Sequence, residues 1–228
     1  MEQIADNVHK LAGRPAHAFN SYLVGDVLVD ARTRHAARRI LGEIEGRPLR
    51  AHLITHAHAD HQGSSAAICS TRAVPLWCGE REVATAESGR TAAAGANNII
   101  TRWQERNWAG PGHPVGRALS EGDTVGEFEV LEVPGHAPGH VALWRERDRT
   151  LIAGDVLFNR HPLTGRPHLS EPPALFTIDP ATNRASIRRI AALRPRLACF
   201  GHGPVVRDPG LISDLADQLP AEARQAPR

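Results

Sequence analysis

The sequence predicts an α/β fold in which strands alternate with helices and the helices cover the sheets. Three observations lead there. Runs with strand character and stretches with helical spacing alternate along most of the 228 residues. Four separate strand ends carry His or Asp, three of them beside Gly or Pro, so ligand-type side chains gather at one edge of the sheets. A hydrophobic content of 41% over this length is enough for one sizeable core. Residues 1–220 are therefore expected to form one domain, and 221–228, made of Ala, Glu, Arg, Gln and Pro, a disordered tail.

The elements follow in order. Residues 18–24 and 27–30 read as two short strands joined by a turn at Gly25-Asp26. Apolar residues at 36, 37, 40, 41 and 44 give 33–45 a helical spacing, with Gly46 as its C-cap. Residues 51–55 form a strand, and a helix opens at His61 or Gln62 and runs to Cys69. Residues 74–78 read as a strand and 80–87 as a helix. Residues 88–122 are the least regular part, holding Gly95, Gly110, Gly112 and Gly116, Pro111 and Pro114, Trp103 and Trp108, and they read as a lid or binding loop. Strand 127–133 leads to the hairpin 141–145 and 150–153. Helix 180–193, capped by Asp179, strand 197–200 and helix 211–219 close the chain.

Composition narrows the function. A formal net charge of +2 offers no electrostatic case for nucleic acid or an anionic membrane. No apolar run approaches a membrane span, and residues 1–11 lack the apolar stretch of a signal peptide. Cys69, Cys78 and Cys199, an odd set without paired spacing, argue against a disulfide framework. Together these point to a cytoplasmic protein acting on a small-molecule substrate, and they leave its oligomeric state open.

The stretch that carries chemistry is Thr55-His56-Ala57-His58-Ala59-Asp60-His61. Imidazole suits Zn, Fe or Ni, and carboxylate suits harder ions. In extended chain His56 and His58 point the same way and can share one ion, while Asp60 and His61 sit where the chain turns and can face a second. His136 is then held in Pro134-Gly135-His136-Ala137-Pro138-Gly139-His140, Asp155 ends a strand at Gly154-Asp155, and His202 lies in Gly201-His202-Gly203.

This ordered set resembles the metallo-β-lactamase superfamily, and more narrowly its dinuclear hydrolases, the glyoxalase II-like thioesterases and lactonases. The resemblance spans about residues 18–205. It implies a four-layer αββα sandwich with metals at one edge. It also implies two Zn²⁺ per chain, with Fe or Mn as alternatives. His56, His58 and His136 would hold one ion, Asp60, His61 and His202 the other, and Asp155 would bridge them. The family's Asp-Thr-Gly turn appears here as Asp30-Ala31-Arg32, a departure at a supporting turn. The activity implied is hydrolysis of a small ester, thioester or lactone by a metal-bridging hydroxide, with Asp60 carrying the proton.

Other readings stay open: a mononuclear iron persulfide dioxygenase using His56, His136 and Asp155, a β-lactamase-type amide hydrolase, and a non-enzymatic metal-binding or diiron electron-transfer module. Lys10, the only lysine, lies far from every motif along the chain. Trp103 and Phe158 hint at an apolar substrate portion, together with Trp108. Asn159, His161 and Arg166 follow Asp155 closely enough to line a pocket. His140 is expected to be a buried hydrogen-bond partner. Cys199 is expected in a strand core, and His9, His17, His35, His52, His113 and His168 at the surface or in packing roles.

Overall fold

The computed structural model describes residues 1–220; the tail expected at 221–228 lies outside the described residues. The first sheet has 7 strands in chain order: β1 (Glu2–Ala5), β2 (Val8–Lys10), β3 (Tyr22–Val24), β4 (Val27–Val29), β5 (Ala51–Leu53), β6 (Leu76–Gly79) and β7 (Val115–Leu119). β1 to β4 are an antiparallel meander, and β4 to β7 run parallel. Parallel neighbours need crossovers, and α1 (Ala37–Glu43), α2 (Ala59–Gln62), α3 (Ser65–Arg72), α4 (Val83–Ser88) and α5 (Ile99–Trp108) supply them. The second sheet is built from β8 (Thr124–Val125), β9 (Phe128–Glu132), β10 (Val141–Arg145) and β11 (Thr150–Gly154). A small hairpin follows, β12 (Phe158–Asn159) with β13 (Leu169–Ser170). After α6 (Pro180–Ala192), β14 (Leu197–Phe200) joins β11 in parallel, and α7 (Pro209–Gln218) closes the chain.

The period-2 pattern of each strand divides its side chains between two cores. Tyr22, Val24, Val27, Val29 and Leu53 of the first sheet meet Val130, Val141, Leu143, Ile152 and Cys199 of the second. The alternate residues turn outward. Leu23 and Leu28 pack on Ile40, Ile44 and Ile68 of α1 and α3. Leu131, Ala142, Trp144, Leu151 and Ala153 pack on Ile187, Ile190, Ile212 and Ala216 of α6 and α7. The result is a four-layer αββα sandwich.

Two expectations need correction. Residues 88–122, read as irregular, contain α5 and β7. The glycines and prolines around them hid a local signal: Asn98 accepts from the backbone N–H groups of Ile100 and Thr101, while Thr101 Oγ1 accepts from the N–H of Asn98, a full capping box. Residues 2–10, which carry no predicted element, form the β1–β2 hairpin around Asn7, whose φ is 52°. Asp179 does cap α6, accepting from Ala181 and Thr182 N–H.

His52 on β5 is a buried packing residue with a defined tautomer. Its Nδ1 lies 3.1 Å from Leu28 O and so donates, leaving Nε2 to accept from Ser65 Oγ at 2.8 Å. Burial pushes its pKa down to about 4. The folded protein thus keeps His52 neutral where the unfolded chain, near 6.5, takes a proton. The stability it contributes is complete above about pH 6.5 and is lost as pH falls toward about 4, about 3 kcal/mol in all. In urea unfolding at pH 7.5 and 5.0, His52→Gln is expected to lose less stability on acidification than the native chain. Equal losses would show that His52 does not titrate on unfolding.

Candidate metal centre

The open ends of β5, β9 and β11 and the segment after β14 bring the ligand-type side chains of the sequence together at one edge of the sandwich. Backing hydrogen bonds decide which nitrogen each imidazole presents. Thr55 Oγ1 donates to the Asp30 carboxylate at 3.0 Å, so it can only accept from His56 Nδ1 at 3.1 Å. His61 Nδ1 donates to Asp30 Oδ2 at 2.9 Å. His202 Nδ1 donates to Ala18 O at 2.6 Å. Thr177 Oγ1 donates to Pro173 O and accepts from His136 Nδ1 at 3.3 Å. In all four residues Nε2 is thereby turned toward the cluster. His58 uses its other nitrogen, with Nδ1 3.1 Å from His56 Nε2. Fixing orientation through the distal nitrogen is how proteins prepare histidines for metals.

The front nitrogens meet at carboxylates. Asp155 Oδ2 is 3.1 Å from His202 Nε2, 3.2 Å from His61 Nε2, 3.6 Å from His136 Nε2 and 4.0 Å from His56 Nε2. Asp60 Oδ2 lies 3.4 Å from His202 Nε2. Among the described residues three donor groups could hold an ion: His56, His58 and His136; His56, His61 and Asp155; and Asp60, His61 and His202, each with ligand atoms within 4.8 Å of one another. His58 Nε2, His136 Nε2 and Asp155 Oδ1 are buried without a hydrogen-bond partner. Leaving buried polar atoms unpaired is costly, and cation binding by neighbouring lone pairs offsets it, so the donor set fits metal. Glycine is required around it. A Cβ at Gly201 would sit 2.0 Å from Asp155 Oδ1, and one at Gly154, where φ is 56°, would sit 2.4 Å from His140 Nε2.

The charge pattern agrees. Burial works against charge on His61 and His202, yet the carboxylates beside them outweigh it: Asp155 and Asp30 hold His61 well above the ordinary histidine range, and Asp155 and Asp60 raise His202 to about 10. Burial, then crowding by the other imidazoles, pushes His56 well below that range; for His136 the same two effects prevail. The carboxylates therefore attract positive charge into the cluster, and protons on His61 and His202 are what a metal ion displaces.

A pocket of about 350 Å³ opens above the cluster. Phe158, Phe19, Trp108 and Phe176 form its apolar wall, with Arg160, Thr91, Thr101 and Gln104 as polar members. Of the residues expected to touch substrate, Phe158 lies in this wall, its ring centroid 4.4 Å from that of His202. Trp103, Asn159 and His161 lie outside it. Trp103 is 54% exposed and meets Trp108 edge-on. Asn159 is buried and donates to Pro204 O. His161 Nδ1 accepts from Leu163 and Thr164 N–H. His140 accepts from Asp155 N–H at 3.2 Å, and Cys199 is fully buried, its thiol pushed by burial up to about 12. Lys10 is distant from the motifs only along the chain. It is buried, with Nζ 2.6 Å from His17 Nδ1 and 3.4 Å from Gly203 O, beside His202 yet outside the pocket wall.

A family model described as Metallo-beta-lactamase superfamily matches residues 16–202. The chain belongs to this superfamily. It is 30% identical to a probable metallo-hydrolase, YflN, of Bacillus subtilis, over 94% of this chain and 90% of the relative. It is 31% identical to a hydroxyacylglutathione hydrolase of a Methylobacterium species, over 78% of this chain and 57% of that one. Among solved structures it resembles the BLEG-1 B3 metallo-beta-lactamase, with TM-score 0.66, 26% identity and coverage of 91% and 96%. It also resembles TTHA1623 in a di-iron-bound form, with TM-score 0.62, 26% identity and coverage of 94% and 96%. The chain is thus a metallo-hydrolase relative with a metallo-β-lactamase fold.

Against the superfamily pattern, the Asp30-Ala31-Arg32 turn keeps its first residue at work. Asp30 binds Thr55 N–H, Thr55 Oγ1 and His61. Arg32 takes the left-handed conformation at φ 56°, a position that favours glycine, and its guanidinium donates to Leu11 O and Ala12 O. Sequence reasoning missed several supports. Glu82 is completely buried and accepts from Ala57 N–H at 2.9 Å and Gly139 N–H at 2.7 Å. Asn20 donates to Phe200 O and Gly203 O, and Tyr22 to Phe200 O, pinning the His202 loop to the opposite sheet.

Proposed function

We propose that the chain is a metal-dependent hydrolase that cleaves a small ester, thioester or lactone, with two zinc ions as its resident metals. The observation that carries this reading is the pair of separate donor groups, His56-His58-His136 and Asp60-His61-His202, with Asp155 between them at the floor of a pocket. Metal bound there supplies a Lewis acid and water that is acidic enough to ionise near neutral pH. The chain's own residues do the rest. The apolar wall excludes bulk water and orients the substrate with its carbonyl toward the floor. The Asp60 carboxylate lines the pocket and takes the proton of the attacking water. As the new C–O bond forms and the bond to the leaving oxygen or sulfur breaks, Asp60 returns that proton to the leaving atom. Products are a carboxylic acid and an alcohol or thiol. The kinship with hydroxyacylglutathione hydrolases supports thioesters as the first class to try.

Iron in place of zinc is the second reading, supported by the di-iron-bound neighbour; two iron per chain with hydrolysis would replace zinc and keep the reaction. A panel of thioesters, lactones and aryl esters with the purified protein, alongside metal analysis by mass spectrometry, separates the two. Hydrolysis with about two zinc per chain is expected, and His58→Ala should lose at least about 100-fold in kcat/KM. One iron per chain with oxygen uptake, or hydrolysis unaffected by His58→Ala, would overturn the proposal.

A further inference from the structure

We infer that Arg160 selects substrates bearing a carboxylate remote from the bond that is cut. This deepens the hydrolase reading above and rests on it. Arg160 follows β12 and lines the same pocket as Asp60, Asp155 and His202. It is half-buried, yet no Asp or Glu oxygen of a described residue forms an ion pair with it. Among the described residues its side chain makes one hydrogen bond, from Nη1 to Gly165 O at 3.0 Å. Gly165, at φ 68°, lets the loop fold directly against the guanidinium: a Cβ there would lie 2.8 Å from Nη2. The side chain is therefore held from behind by a turn while most of its donors stay free.

Arg145, Arg147 and Arg184 each pair with Asp or Glu. Among the described residues Arg32 is also without an acidic partner, but its guanidinium is spent on the carbonyls of Leu11 and Ala12, whereas Arg160 faces the pocket. A guanidinium placed in a partly desolvated pocket without a counter-ion is costly, and an anionic ligand offsets that cost. The planar fork matches a carboxylate through two parallel N–H···O bonds. The other polar members of the pocket beyond the metal cluster are neutral, Thr91, Thr101 and Gln104. One cation among neutral and aromatic neighbours suits a single negative charge, hence a carboxylate and not a phosphate dianion. The metal cluster engages the scissile carbonyl, so the carboxylate read by Arg160 belongs to a second position on the substrate.

The test uses matched pairs that share the scissile bond. Phenyl hexanoate and monophenyl adipate differ by a terminal carboxylate on the acyl arm; phenyl acetate and 3-acetoxybenzoate differ by one on the leaving arm. The native protein is expected to prefer the carboxylated member of at least one pair by about 10- to 100-fold in kcat/KM, mostly through KM. Arg160→Met should bring that ratio to about one, and Arg160→Lys should restore part of it, because charge is kept while the fork is lost. Calorimetric binding of adipate against hexanoate decides the same question even for a protein that cleaves neither ester. No preference in either pair and in binding, or a preference that survives Arg160→Met, overturns the inference while leaving the hydrolase reading intact. A preference for the matching phosphonate, 3-acetoxyphenylphosphonate, over 3-acetoxybenzoate would likewise overturn it in favour of phosphate recognition.

Discussion

Asp155→Asn is expected to lower turnover of the best substrate by about 1000-fold and to reduce bound metal from the two ions per chain proposed above to at most one. The substitution is nearly isosteric, so packing and the glycines around it are left alone. What changes is charge. In the native chain one buried oxygen faces the Nε2 atoms of His61 and His202 at 3.2 and 3.1 Å, with His136 at 3.6 Å. His202 and His61 hold the Asp155 carboxyl well below the ordinary range against the opposing effect of burial. An amide brings no negative charge, and its NH₂ group can occupy the position of the oxygen and present hydrogens to lone pairs. Either orientation deprives both donor groups of their shared anion. Metal analysis and kcat measured on the same preparation, with circular dichroism to confirm the fold, decide the matter. A loss below about tenfold with both metals retained would remove Asp155 from the bridging role proposed for it.

How much of this was legible in the chain depends on distance along it. The cluster His56 to His61 declares itself because several ligand-type residues fall on one turn. His136, Asp155 and His202 are marked by adjacent Gly or Pro that end strands. β3, β4, β10, β11 and β14 were readable from β-rich runs, and α6 from Asp179. The supports were not. Glu82 meets Gly139 across 57 positions, and Tyr22 meets Phe200 across 178. Each is a common residue type whose role exists only after two sheets have packed, so no local pattern announces it. Arg160 was passed over for a similar reason: its neighbours Asn159 and His161 look equally polar in sequence, and only the folded chain shows that Arg160 lines the pocket while Asn159 donates to Pro204 O.

Glu82→Gln is expected to weaken metal at one donor group more than at the other. Glu82 lies in the turn that follows β6, and its carboxylate bridges two loops from different sheets. Oε2 accepts from Ala57 N–H, between His56 and His58; Oε1 accepts from Gly139 N–H, three residues beyond His136. Those loops carry all three members of the group His56, His58 and His136. The other group draws Asp60 and His61 from α2 and His202 from beyond β14, where Asp30 and Ala18 hold the imidazoles. Gln fills the same space but turns one acceptor into a donor that confronts a backbone N–H. One hydrogen bond is lost and one buried N–H is orphaned, about 1 to 3 kcal/mol of stability. The two loops are then free to part by a fraction of an ångström, which ligand geometry does not tolerate. Affinity at the His56-His58-His136 group should fall about 10- to 100-fold, read as a selective shift of one of two binding phases in a competition titration with a chromophoric chelator. Glu82→Asp, whose shorter carboxylate keeps its charge but reaches only one loop, should fall between native and Gln. Two phases shifted equally, or neither, would mean that Glu82 supports the fold as a whole and does not set the spacing of these three histidines.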